Sequence, residues 1–547
     1  MADRYWVGGT DIWNGTALLK WSTTSGGVGG AAVPTTSDDV YFDAASGAVT
    51  VTTGASVSAK NLSFAGFTGT FAGTNVITAT GSLTLGAAMT RTHSGPYTLN
   101  SALTTNTITS NGISLASQME FTGGGKWTLQ DNFSNPTGYT FLTTGTVDLN
   151  NQQWTTLIFE SNNNNVRAVN FGTQGMTLVG ISQGVYIVPN ITNMTYSGAP
   201  KITLSTAAAS GSRLIYNGST AGGSESKALS VRVSAGTDNI QIVNSSTNSI
   251  NDLDMTGFTG RLTGGNRTIY GSLTLGAGMT VDATTGDTIF GATSGTKTIT
   301  SNGVTVDGPI KFNGVGGNWQ LADNLIVGTT RTVTLINGTL DGNGKNVTLG
   351  AFALGSGTKT LSIGNGTWTV TASGTSWNAN ANVTNLTVSP STGIISMTSA
   401  SAKIFAGGAK AWPTLNQGGS GALTIQQSNS FANITNSVQP ATITLTAGTT
   451  QTVAAFGVSG TAGNLITLNT STSGTRATLS DSTGTVEVSN VSIKDINATG
   501  GATWNAFLEN GNVDAGNNIG WDFLSFASSV FRAVLRPIFK PIFLRET

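Results

Sequence analysis

The sequence predicts an all-β chain: a right-handed parallel β-solenoid with a duplicated module, followed by a short basic and apolar C-terminal tail outside the β pattern. Three observations carry this expectation. Apolar residues make up 38% of the 547 residues and recur in short alternating runs such as SLTL, TITL, LITL and VEVS, the period of a half-buried strand. The runs are three to six residues long and are separated by Gly, Asn or Ser-Gly turns, with 73 glycines in all, which is the punctuation of stacked short strands. Finally, one long stretch occurs twice. GFTG at Gly66, GSLTLGAAMT at Gly81, ITSNGI at Ile108, WTLQDN at Trp127 and GTVD at Gly145 return as GFTG at Gly257, GSLTLGAGMT at Gly271, ITSNGV at Ile299, WQLADN at Trp319 and GTLD at Gly338. Such repetition in register builds length by stacking coils. About twenty coils of roughly 20 to 25 residues, about 4.8 Å apart, would make a rod on the order of 100 Å long.

Along the chain the pattern divides into five segments. Residues 1–54 form a Trp- and Gly-rich opening with Trp6, Trp13 and Trp21, read as a cap or attachment region over the exposed edge of the first coil. Residues 55–248 and 249–440 are the two module copies with their less similar spacers. The first spacer contains the run Asn162 to Asn165, either a side-chain ladder on successive coils or a surface loop. Residues 441–523 continue the strand pattern to GGATW and GNNIGWDF. Residues 524–547 change character: Val530, Phe531, Val534, Leu535, Ile538, Phe539, Ile542 and Phe543 form apolar pairs every four residues, with Arg532, Arg536 and Lys540 between them. Pro537 and Pro541 would end a helix there, so the tail reads as a short amphipathic helix and an extended piece that docks onto a partner.

Composition narrows the function. With 25 basic and 25 acidic residues there is no electrostatic footprint for nucleic acid. Cysteine is absent, so disulfides, thiolate metal sites and cysteine nucleophiles are excluded. The opening MADRYWVGG lacks the features of a signal peptide, and no apolar run reaches the roughly 18 residues of a membrane span. Release by lysis as part of a phage particle is the simplest expectation.

Catalytic candidates are few. The one histidine, His93, has Ala283 at the matching place in the second copy and is expected to face solvent from a strand. No phosphate-binding glycine loop or calcium-repeat spacing is present. Asp131 and Asp148 recur as Asp323 and Asp341, which points to turn hydrogen bonding rather than to the acid pair of glycan cleavage. Asp38, Asp39 and Asp43 would suit a hard cation such as Ca²⁺, yet no further ligand run follows them. Trp127 and Trp319 read as core residues, with sugar stacking as the other option. No catalytic residue, metal or cofactor is assigned.

The opening W-x-G-G, the D-D-V-x-F at Asp38, GFTG and GSLTLG, IFAGG at Ile404, PTLNQGGSGALTI at Pro413, FANITN at Phe431, SGTAGNLITL at Ser459 and the close GNNIGWDF form an ordered series. That series resembles low-complexity β-solenoid, tail-fibre-like structural proteins of tailed bacteriophages, which are related to repeat-rich bacterial surface proteins. The resemblance spans Trp6 to Phe523 and implies a surface β-solenoid with no catalytic residues to carry over. The expected role is a non-enzymatic virion fibre or appendage, a homo-oligomer and foremost a trimer, contacting other virion proteins and a host surface glycan or protein. A bacterial cell-surface adhesin and a glycan-depolymerising tailspike are the alternatives.

Overall fold

In the computed structural model the described residues are 2–14, 18–243 and 247–524. The chain forms two compact units, Met1–Gly291 and Ala292–Thr547. Each is built from stacked parallel strands, as the alternation predicts; among the described residues the only helical elements are short 3-10 turns.

In the first unit one sheet steps through Asp39–Tyr41, Leu62–Ser63, Leu83–Thr84, Asn106–Thr109, Lys126–Leu129, Gly145–Asp148, Arg167–Asn170 and Met194–Ser197, every neighbour parallel. Partners lie 21 to 25 residues apart along Val40, Leu62, Leu83, Ile108 and Leu129, which are all buried. One turn of chain thus returns each apolar position beneath the last, the arrangement of a solenoid coil. Each inward Leu or Ile contributes about 2 kcal/mol of burial. A second ladder passes through Tyr97–Leu99, Met119–Phe121, Phe133–Leu142, Trp154–Glu160, Gln183–Asn190, Ser212–Ala221 and Asn239–Ile242, again parallel.

The second unit repeats the scheme. Val347, Trp368, Ile395, Leu415, Ile434 and Phe456 stack in register, 19 to 27 residues apart, and all are buried. The coils turn where asparagine takes the left-handed conformation: Asn111 and Asn302 both have φ of 49°, Asn150 and Asn343 φ of 48° and 47°. Asparagine tolerates this region because its side chain hydrogen-bonds locally.

The parity of the outward face is not constant along the second ladder of the first unit. Phe133 and Asn135 point inward, but after a bulge at Pro136 to Gly138 it is Thr140 and Leu142 that do so. Gly138 is required there, since a Cβ would lie 2.0 Å from the Ser117 carbonyl oxygen. The same change of parity follows Thr156 in Trp154–Glu160 and Gly184 in Gln183–Asn190. Each shift turns residues outward that strict alternation would have buried.

Candidate functional site

The residues singled out by sequence resolve mainly into scaffold. Asp131 accepts hydrogen bonds from the backbone N–H groups of Ser110 (2.8 Å) and Asn111 (2.5 Å) on the preceding coil. Asp323 does the same for Ser301 (2.7 Å) and Asn302 (2.6 Å). The serine hydroxyls donate to the carbonyls of Asn132 and Asn324, completing the same brace in both copies. Asp148 and Asp341 accept from the N–H groups of Asn150 and Asn343, each at 2.9 Å, and those asparagines donate onward to Leu129 and Leu321. Sequence recurrence here reflects coil-to-coil bonding, as the repeated positions suggest.

Trp127 and Trp319 are fully buried and pack on Phe121 and Phe312, with ring centroids 5.4 and 5.3 Å apart. Neither is open to a sugar. Trp6, Trp13 and Trp21 are also buried; Trp21 meets the other two edge-on at 5.1 and 5.3 Å, and all three surround Phe42. Trp21–Ser22 pairs antiparallel with Asp3–Trp6, the reverse of the parallel neighbours that follow. Asp38, Asp39 and Asp43 do not converge. Asp38 accepts from Thr35 and the Ala2 N–H, Asp39 from Asn61, and Asp43 caps the turn at Ala44–Ser46. Burial pushes the Asp38 carboxyl up, but the Thr35 and Ala2 hydrogen bonds and Arg4 outweigh it and hold the group below its ordinary value. Asn163, Asn164 and Asn165 form a surface loop whose amides bond to neighbouring coils, at Leu142, Asn190 and Thr143.

His93 corrects the sequence reading. It does not face solvent: it is buried between Phe71 and Tyr97, and its Nε2 lies 3.0 Å from the Asn75 carbonyl, to which it donates as the neutral ring. Burial lowers its pKa to about 4. Alternation counted from the buried Met89 already places His93 on the inward side, and Arg91, two residues before, donates to the His93 carbonyl and to Ser117. Ala283, its counterpart, is exposed. The proposed docking residues of the tail, Val530 to Phe543, lie outside the described residues.

Two surface features escaped sequence reasoning. The first is a polar cleft of about 380 Å³ in the first unit, where Lys201, Ser230, Arg232, Asp252 and Asp254 share one face. Arg232 and Asp254 are 3.7 Å apart; Asp252 accepts from the Ser272 N–H at 2.8 Å and from the Ser230 hydroxyl at 3.3 Å. The signal was available: KNLSFAGFTG of the first copy becomes NDLDMTGFTG in the second, so both acids appear where the copies diverge.

The second is an outward row on the long ladder of the first unit. Register places Glu120, Phe141, Glu160, Ile187 and Tyr216 side by side on successive strands, all half-buried, with Val243 next. Tyr139, 44% exposed, meets Phe141 edge-on at 6.2 Å. Around Ile187 and Tyr216 the row opens into a depression of about 700 Å³ floored by Pro189, Leu214 and Val243. Its rim carries amides and hydroxyls from Asn162, Gln183, Ser219 and Thr220. Gly184 keeps the floor open, since a Cβ there would meet the Ile187 side chain at 2.6 Å. Comparison with known proteins finds no matching family model, no matching curated protein and no matching solved structure.

Proposed function

We propose that the chain is a non-enzymatic structural protein of a tailed-phage particle, a fibre or appendage that attaches to the particle, to a host surface or to both, and that it acts as a homotrimer. The observation that carries this reading is the fate of the repeated carboxylates. Asp131 and Asp323 hold the backbone of the preceding coil, and Asp148 and Asp341 fix the turns from which Asn150 and Asn343 reach that coil, in both copies, so the module is organised around its own extension. A scaffold of stacked coils lends itself to presenting a surface far from its base. Association of copies is expected where a thin coil alone buries limited apolar area, and three rods packed together bury more. Antibody labelling of purified particles tests the reading: signal on the tail or surface supports it, whereas signal on the envelope of uninfected bacteria moves the protein to the adhesin alternative.

A tailspike reading has one supporting feature, the unrepeated pair Asp252 and Asp254 in a cleft with Lys201 and Arg232. Paired carboxylates are what glycoside cleavage needs. Release of reducing ends from a host polysaccharide, lost in Asp252→Asn or Asp254→Asn, would replace the non-enzymatic proposal.

A further inference from the structure

We propose that the outward row through Phe141 and Tyr216 is a binding site for a neutral saccharide chain. The inference deepens the attachment reading and rests on it for its biological setting. Outward positions elsewhere on this ladder are small and polar, as at Thr78, Thr98 and Thr155. Here three strand bulges turn Tyr139, Phe141, Ile158 and Ile187 outward. Outward-facing aromatic and aliphatic side chains grouped on one surface, here half-buried apart from the exposed Tyr139, mark a contact.

The chemistry of the row selects the partner. Phe141 and Tyr216 are three strands apart, about 14 Å at a spacing of ~4.8 Å, so a short oligosaccharide lying along the ladder reaches both rings. Aromatic faces take the apolar C–H face of a pyranose, and the depression beside Tyr216 supplies amide and hydroxyl partners for ring hydroxyls. Its lining carries no charged side chain. Glu120 and Glu160 flank Phe141 in register, and the row itself contains no lysine or arginine. Two carboxylates accept hydrogen bonds from sugar hydroxyls but repel an anionic polymer. They also disfavour a two-fold pairing of this row with the same row of a second copy, which would bring like carboxylates together.

The test uses the full-length chain with cellohexaose, maltohexaose and chitohexaose as neutral probes and oligogalacturonate as the anionic control, read by calorimetry. At least one neutral probe is expected to bind and the anionic control not to. Tyr216→Ala and Phe141→Ala should each weaken binding about tenfold or more, with Tyr216→Phe close to the parent. Unchanged circular dichroism and melting would show that these outward changes leave the coil intact. The proposal is overturned if no neutral probe binds, if the alanine variants bind like the parent, or if they dissociate an oligomer in the absence of sugar, which would assign the row to a second copy. The attachment reading fails separately: a parent protein that binds the neutral probe yet associates with neither particles nor cells would retain the site and lose that role.

Discussion

The two module copies share their braces and differ in what their spacers bury. In the first unit Arg213 and Asp238 form an ion pair with both side chains fully buried, Nε to Oδ2 at 2.8 Å and a terminal nitrogen to Oδ1 at 2.7 Å. In the second, Lys403 is equally buried but faces only carbonyl oxygens, those of Ser399, Gly419 and Gly421. Burial lowers the Lys403 ammonium to about 8. A buried ammonium solvated only by dipoles gives up its proton more easily than one in water. The repeated parts of the sequence therefore mark interchangeable scaffold, and the unrepeated spacers are where each unit acquires its own electrostatics and surface.

The largest break in this comparison should come from Arg213→Ala. Leaving the Asp238 carboxylate buried and unpaired is expected to cost about 3 to 5 kcal/mol in urea unfolding followed by tryptophan fluorescence. Pairing Arg213→Met with Asp238→Leu should recover most of that loss; equal destabilisation by the single and double variants would show that the ion pair is not the cause. Next in size, Asp131→Ala and Asp323→Ala each remove an acceptor shared by two backbone N–H groups and should cost about 2 kcal/mol. Because the braces match, the two losses should agree to within about 0.5 kcal/mol. A large loss in one copy alone would end the claim of equivalence.

A different kind of effect appears as pH dependence. Between about 8 and the ordinary lysine value of 10.5, the unfolded chain holds a proton at Lys403 that the folded chain has released, so stability rises with pH across that window. Lys403→Met should abolish the rise and be more stable than the parent below pH 8. His93 gives a signature confined to acid. With its value lowered from 6.5 to about 4, stability is full above 6.5 and declines as pH falls toward 4, where the unfolded chain takes up the proton first. Replacing it by His93→Leu should flatten melting temperature across that interval, and an unchanged slope would place the acid sensitivity elsewhere.

Sequence alone determined the strand class, the coil length and the bracing acids, because these depend on period and on recurrence, both visible in one dimension. GSLTLG and WTLQDN mark inward positions in both copies for that reason, and Trp127 and Trp319 accordingly lie in the core. Tertiary structure decided which residues of irregular strands face outward. In FSNPTGYTFL alternation counted from Phe133 would bury Tyr139 and Phe141, but the bulge at Pro136 to Gly138 shifts the parity by one and turns both out. It also decided that Arg213 meets Asp238, 25 residues away. A solenoid places residues one coil apart in contact, and since register partners along the ladders described lie 19 to 31 residues apart, that partner is set by the accumulated loops and bulges between them, which no local pattern encodes.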